Sequence, residues 1–131
     1  MAADPLLSGR EILIVEDEAL QALELERLMQ RLGGQRVRSV ESVATALEHL
    51  QGERPDLVLL DAELSDGWAA RLALALSATR VPFVVVSGHG RLMLRNDPAL
   101  HAAPYVGKPI ELAKLRQAIR DALEAGAAPA S

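Results

Sequence analysis

Two patterns of apolar and polar positions alternate along the chain. The first is the short apolar run: "ILIV" at 12–15, "LVLL" at 57–60 and "VPFVVV" at 81–86. Runs this short do not make helices, and their branched residues suit strands. Few polar residues interrupt them, so they read as strands covered on both faces, the habit of a parallel sheet. "QRVRSV" near 35–40 and "PYVG" near 104–107 are weaker strands of the same kind.

The second pattern has helical spacing. Residues 18–32 place Ala22, Leu25, Leu28, Met29 and Leu32 on one face, before Gly33-Gly34 stops the helix. Residues 42–51 repeat the theme with Val43, Ala46, Leu47 and Leu50. Residues 67–78 are rich in Ala and Leu, and 110–123 turn Leu112, Leu115, Ile119 and Leu123 inward. In "RLMLRNDPALH", at 91–101, Asn96-Asp97-Pro98 breaks the pattern, which predicts a short or irregular fourth helix. Five strands alternating with about five helices predict an α/β fold. Its most economical form is a flavodoxin-like, doubly wound parallel sheet in the order 2-1-3-4-5. Residues 9–125 form one domain in this reading, with 1–8 and 126–131 as flexible ends.

Composition narrows the function classes. The chain has 131 residues, 50% of them hydrophobic, so one domain with a substantial core is expected. Its net charge of −4 argues against a nucleic-acid partner, which usually meets a basic face. No cysteine is present, so neither a disulfide framework nor a thiolate metal site is available, in keeping with a cytoplasmic protein. No apolar run approaches the ~18 residues of a membrane span, and the start lacks the features of a signal peptide.

In a doubly wound sheet, ligands bind beyond the carboxyl ends of the strands. Glu16, Asp17 and Glu18 follow the first run and Asp61 follows the third. Ser87 and Gly88 follow the fourth, and Gly107, Lys108 and Pro109 the fifth. Strand order makes Asp17 and Asp61 neighbours, with Glu16 behind them. Each pair of like charges ~4 Å apart costs on the order of 4 kcal/mol at an effective dielectric near 20. No arginine is supplied to neutralise them, and a hard divalent cation such as Mg²⁺, which takes oxygen ligands, would do so. Ser87 and Lys108 are expected to face Asp61 opposite the metal acids. A carboxylate flanked by a cation, an ammonium group and a hydroxyl is placed to attack phosphorus.

The four pieces "ILIVEDE", "DLVLLDAELSDG", "VPFVVVSG" and "YVGKP" stand in order at the spacing of a response-regulator receiver domain, which the chain resembles over residues 9–125. Single pieces are weak; the set is specific. The resemblance implies that Asp61 accepts a phosphoryl group from a histidine kinase or a histidine phosphotransfer protein. It implies Mg²⁺ held directly by Asp17 and Asp61, by Glu16 through water and by the Glu63 backbone carbonyl. Lys108 would pair with the phosphoryl group, Ser87 would swing to hydrogen-bond it, and Tyr105 would follow inward as the switch aromatic. The Lys108-Pro109 bond is cis in the family, and helix 1 is its docking face for the kinase. With no output domain in view, a stand-alone regulator acting by protein contact or phosphate shuttling is expected.

Several positions depart from the family pattern. Ser65 stands where proline is commonest, Gly88 replaces the usual alanine, and Glu63 and His89 fill the two variable positions that tune dephosphorylation. "PFVVVSGHG" before a poor fourth helix resembles an alphaproteobacterial subgroup paired with HWE/HisKA2 kinases.

Plainer readings exist for each residue. Asp17 could cap the first helix, Asp66-Gly67 is ordinary turn chemistry, Lys108 could be a solvated surface residue and Tyr105 could be core. His49, His89 and His101 lack metal spacing, and Trp68 simply packs near the site. Those plainer readings must hold at four strand ends at once. Two other functions compete: an Mg²⁺-dependent phosphatase-type hydrolase, with Glu63 as its second acid, and an unphosphorylated receiver-like binding module. "LSDG" does not match the phosphatase pattern.

Overall fold

The computed structural model describes residues 5–64, 69–88 and 97–127. Five parallel strands form one sheet: β1 (Glu11–Val15), β2 (Arg36–Val40), β3 (Leu57–Asp61), β4 (Phe83–Ser87) and β5 (Tyr105–Gly107). They lie in the order β2-β1-β3-β4-β5. The helices between and after them are α1 (Ala19–Arg31), α2 (Val43–Gly52), α3 (Ala69–Ala78), α4 (Pro98–Ala102) and α5 (Leu112–Ala127). Fold class and strand order are those expected from the sequence. The fourth helix is short, as the Asn96-Asp97-Pro98 break predicts: Asp97 sits at the N-cap position and Pro98 opens it.

Period-two alternation of the strands divides the core into two layers. Leu13, Val15, Val58, Leu60 and Val85 pack on one face against α2, α3 and α4. Ile12, Ile14, Leu57, Leu59 and Val84 pack on the other against α1 and α5. Every residue of β3 and β4 is buried, which explains their unbroken apolar runs. Each such aliphatic side chain contributes about 1.5–3 kcal/mol by leaving water. Right-handed crossovers require this division. The chain leaves β1 toward β2, then doubles back past β1 to β3, so α1 and α2 cover opposite faces. The reversal opens a crevice at the carboxyl ends of β1 and β3.

Some boundaries differ from the expected ones. Val81 and Pro82 precede β4: Val81 N–H donates to the Leu76 carbonyl (2.9 Å) and closes the end of α3. Asp61 and Ser87 are the last residues of their strands, not the first residues beyond them. α1 begins at Ala19 with Glu18, not Asp17, at the N-cap position. Leu6 and Leu7 are packed instead of frayed. Leu7 is fully buried, its N–H donates to the Leu32 carbonyl (2.8 Å), and Ser8 bridges to Gly34. α5 runs on to Ala127, past the expected end of the domain. Ser65, Asp66, Gly67, Trp68, His89 and residues 91–96 lie outside the described residues. Among the described residues no helix is long and apolar enough to cross a membrane.

Candidate functional site

Strand register brings the site residues together. Val15 pairs with Leu60, so Glu16 and Asp61 stand side by side at the next position of β1 and β3. Asp61 pairs with Val86, and Ser87 with Gly107, which sets Ser87 and Lys108 on the far side of Asp61. The Glu16 N–H donates to the Val40 carbonyl (3.0 Å), and the Lys108 N–H to the Ser87 carbonyl (3.0 Å). These backbone bonds fix the end of each strand. The Lys108-Pro109 peptide bond is cis.

One carboxylate oxygen from each of Glu16, Asp17 and Asp61 lies within 4.8 Å of the others. Glu16 and Asp61 are only 3% and 4% exposed. Lys108 does not face Asp61 alone, as the sequence suggested. Its ammonium nitrogen lies 3.6 Å from Asp61 Oδ2 and 3.7 Å from Glu16 Oε2, between the two acids. The side chain is long enough to pass Asp61 and reach the β1 acid. Among the described residues, one ammonium stands among these three carboxylates.

Glu16 Oε1 accepts from the Glu18 N–H (3.1 Å), but the buried Glu16 Oε2 has no hydrogen-bond partner among the described residues. The Lys108 separation is too long for a hydrogen bond. Burial is the main force raising the Glu16 carboxyl from its ordinary 4.5 to about 7. Hydrogen bonding with the Asp61 carboxyl and the Asp61 charge push the same way; the Glu18 N–H and Lys108 oppose them. A proton on Glu16 or a cation nearby would offset the burial of Oε2. A hard cation fits the set of three convergent carboxylates, one of them with an orphaned buried oxygen. A cavity of about 400 Å³ opens beside Glu16 and Asp17 toward Glu26 and Glu41.

The hydroxyl side is arranged differently. Ser87, 1% exposed, donates through Oγ to Glu63 Oε1 (3.1 Å), and the Gly88 N–H donates to the same oxygen (2.7 Å). The Glu63 N–H in turn donates to Asp61 Oδ1 (3.0 Å). Tyr105 is half-buried against the core, and its hydroxyl reaches the Ser87 carbonyl (3.4 Å), already turned toward the site. All seven residues singled out from the sequence therefore gather at one end of the sheet. Sequence reasoning placed the Glu63 side chain at a position that tunes dephosphorylation, and as a candidate second acid, but did not foresee its hydrogen bonds with Ser87 and Gly88. Of the histidines, His49 lies 3.6 Å from Glu53, the residue just past α2, away from the crevice.

Residues 12–120 match the model of the response regulator receiver domain. The chain belongs to that family. Members of the family are signalling switches of two-component systems, not turnover enzymes. The receiver is similar to the phyllosphere-induced regulator PhyR of Methylorubrum extorquens, 34% identical over 94% of this chain and 46% of that protein. It spans about half the length of most curated relatives it matches. Among solved structures it resembles the PhyR response regulator REC domain of Erythrobacter litoralis, with a TM-score of 0.81 and 26% identity over 95% of this chain and 97% of that one. It also resembles the receiver domain of a sensor histidine kinase from Pseudomonas aeruginosa, with a TM-score of 0.74 and 28% identity over 89% and 99% of the two chains. That structure has a magnesium ion coordinated in its active site cleft.

Proposed function

We propose that this receiver accepts a phosphoryl group on Asp61, in the presence of Mg²⁺, from the phosphohistidine of a histidine kinase or a histidine phosphotransfer protein. The observation that carries the reading is the convergence of the Glu16, Asp17 and Asp61 carboxylates beside the Lys108 ammonium, at the crevice of a receiver fold. An Asp61 oxygen attacks phosphorus. The new P–O bond forms as the P–N bond of phosphohistidine breaks, and the imidazole leaves with the electron pair and takes up a proton. Asp17 and Asp61 would hold the cation directly, Glu16 through water, and the Glu63 carbonyl would complete the protein ligands. Held by these residues, the ion would supply positive charge to the transferring phosphoryl oxygens. Lys108, whose ammonium lies between Asp61 and Glu16, meets the charge on those oxygens as well. Phosphorylation adds about −1.5 to −2 charges, and these draw Ser87 and Lys108 inward.

Tyr105 follows Ser87, and the surface made by α4, β5 and α5 changes with it. The output is a protein contact or onward phosphate transfer, in the cytoplasm where the donor domain works. A hydrolase would need Glu63 as a general acid, but Glu63 Oε1 accepts two hydrogen bonds from Ser87 and Gly88. The test is intact-mass spectrometry after incubation with Mg²⁺ and acetyl phosphate. One added phosphoryl group, abolished by prior chelation, with no continuous hydrolysis of a phosphate monoester, is expected. Steady monoester turnover would replace this reading with the hydrolase, and no adduct would leave a binding module.

A further inference from the structure

The pairing of Glu63 with the end of β4 has a role beyond phosphoryl acceptance. Two donors, Ser87 Oγ and the Gly88 N–H, converge on one anionic oxygen of Glu63 at 3.1 and 2.7 Å. Both are held from behind. Ser87 is buried, and its carbonyl accepts from the Lys108 N–H and the Tyr105 hydroxyl. Gly88 is the next residue along this fixed strand end. The Glu63 side chain is exposed, but its backbone N–H is tied to Asp61 Oδ1. Asp61 therefore holds the residue whose carboxylate occupies the hydroxyl and amide next to Asp61 itself.

Hydrogen bonds to an ionised acceptor are stronger than neutral ones, and a carboxylate oxygen resembles a phosphoryl oxygen in charge and acceptor geometry. Two anions cannot share the same pair of donors. We propose that Glu63 is an internal competitor: its carboxylate stands in for a phosphoryl oxygen at Ser87 Oγ and the Gly88 N–H, and must leave before a phosphoryl group on Asp61 takes them. Glu63 is then a positioning residue that biases the switch toward its unphosphorylated arrangement. The proposal rests on the phosphoryl chemistry assigned to Asp61 above.

The test compares wild type with Glu63→Ala and Glu63→Asp, both of which keep the backbone carbonyl. Asp retains the charge but is one methylene shorter and does not span to both donors. Beryllofluoride, formed from beryllium chloride and sodium fluoride, is titrated calorimetrically in saturating Mg²⁺, and the Gly88 amide is followed by ¹⁵N NMR. Without ligand, the Gly88 amide proton moves upfield in both variants as its short bond is lost. Beryllofluoride binds both variants about tenfold more tightly than wild type, the worth of one hydrogen bond to a charged group that no longer has to be broken. An unmoved Gly88 resonance, or a Glu63→Ala affinity no better than wild type, overturns the competitor. Tightening in Glu63→Ala alone, with Glu63→Asp like wild type, overturns it in favour of simple charge repulsion. Failure of every form to bind beryllofluoride overturns the receiver chemistry itself, and the competitor with it.

Discussion

Glu16 and Glu63 are two glutamates of one site in opposite circumstances. Glu16 is buried, stands beside Asp61, and has one carboxylate oxygen with no hydrogen-bond partner among the described residues. Glu63 is exposed, and one of its oxygens accepts two hydrogen bonds, from a hydroxyl and a backbone amide. Donor supply separates them. Between β1 and β3 the described residues bring three acids together with the Lys108 ammonium, so a cation or a proton would restore balance there. On the β4 side the sheet presents donors, so the group that fits there is an anion. In the proposed reaction, a phosphoryl group with its cation would satisfy both halves at once.

Removing the ammonium breaks the β1 side most severely. Lys108→Ala is expected to slow phosphorylation by acetyl phosphate about 10²–10³-fold, the size seen when one preorganised charge stabiliser is lost. A wild-type rate in that variant, followed by intact mass, would contradict the place given to Lys108. Next is Glu16→Gln, which removes the water-linked ligand charge and is expected to weaken Mg²⁺ binding by about 10–100-fold in calorimetry.

The same glutamate sets a pH dependence in metal-free protein. Its folded-state pKa, about 7, lies above the ordinary 4.5, so between those values the folded state binds more protons than the unfolded state. Its contribution to stability is present below pH 4.5 and is lost as pH rises to 7. Thermal unfolding in EDTA should show Tm falling across that window in wild type more steeply than in Glu16→Gln, and added Mg²⁺ should flatten the wild-type slope. Equal slopes in the two proteins would remove Glu16 as the cause. The smallest effect belongs to the β4 side. Ser87→Ala leaves the Gly88 N–H on Glu63 and should cost only about 0.5–1.5 kcal/mol in urea unfolding. A larger loss would mean that the Ser87 hydroxyl has a structural role in the core.

Much of this molecule is legible in its sequence because the strands are short, apolar and strictly spaced. "LVLL" and "FVVV" are buried throughout in the structure, and Asp61 and Ser87 follow from where those runs stop. Strand order then brings Glu16, Asp17, Asp61 and Lys108 together without any knowledge of rotamers. What escaped depends on side-chain reach. Lys108 passes Asp61 to meet Glu16, and Glu63 bends across to residues 24 and 25 positions away. Neither path is written in periodicity. Leu7 escaped for a similar reason. A lone apolar pair near the start carries no pattern, and only the packed α1 end shows that it fills the core. Val81 and Pro82 extend the apolar run of β4, but Val81 closes α3, so the run is longer than the strand.

The most direct test of the central claim is to locate the phosphoryl group. Protein treated with Mg²⁺ and acetyl phosphate is reduced with borohydride, which converts an aspartyl phosphate to homoserine, and its peptides are mapped by mass spectrometry. Homoserine at position 61 alone, absent from an Asp61→Asn control, is the expected result. Homoserine at Asp17 or another acid, or an Asp61→Asn protein labelled as fully as wild type, would contradict it.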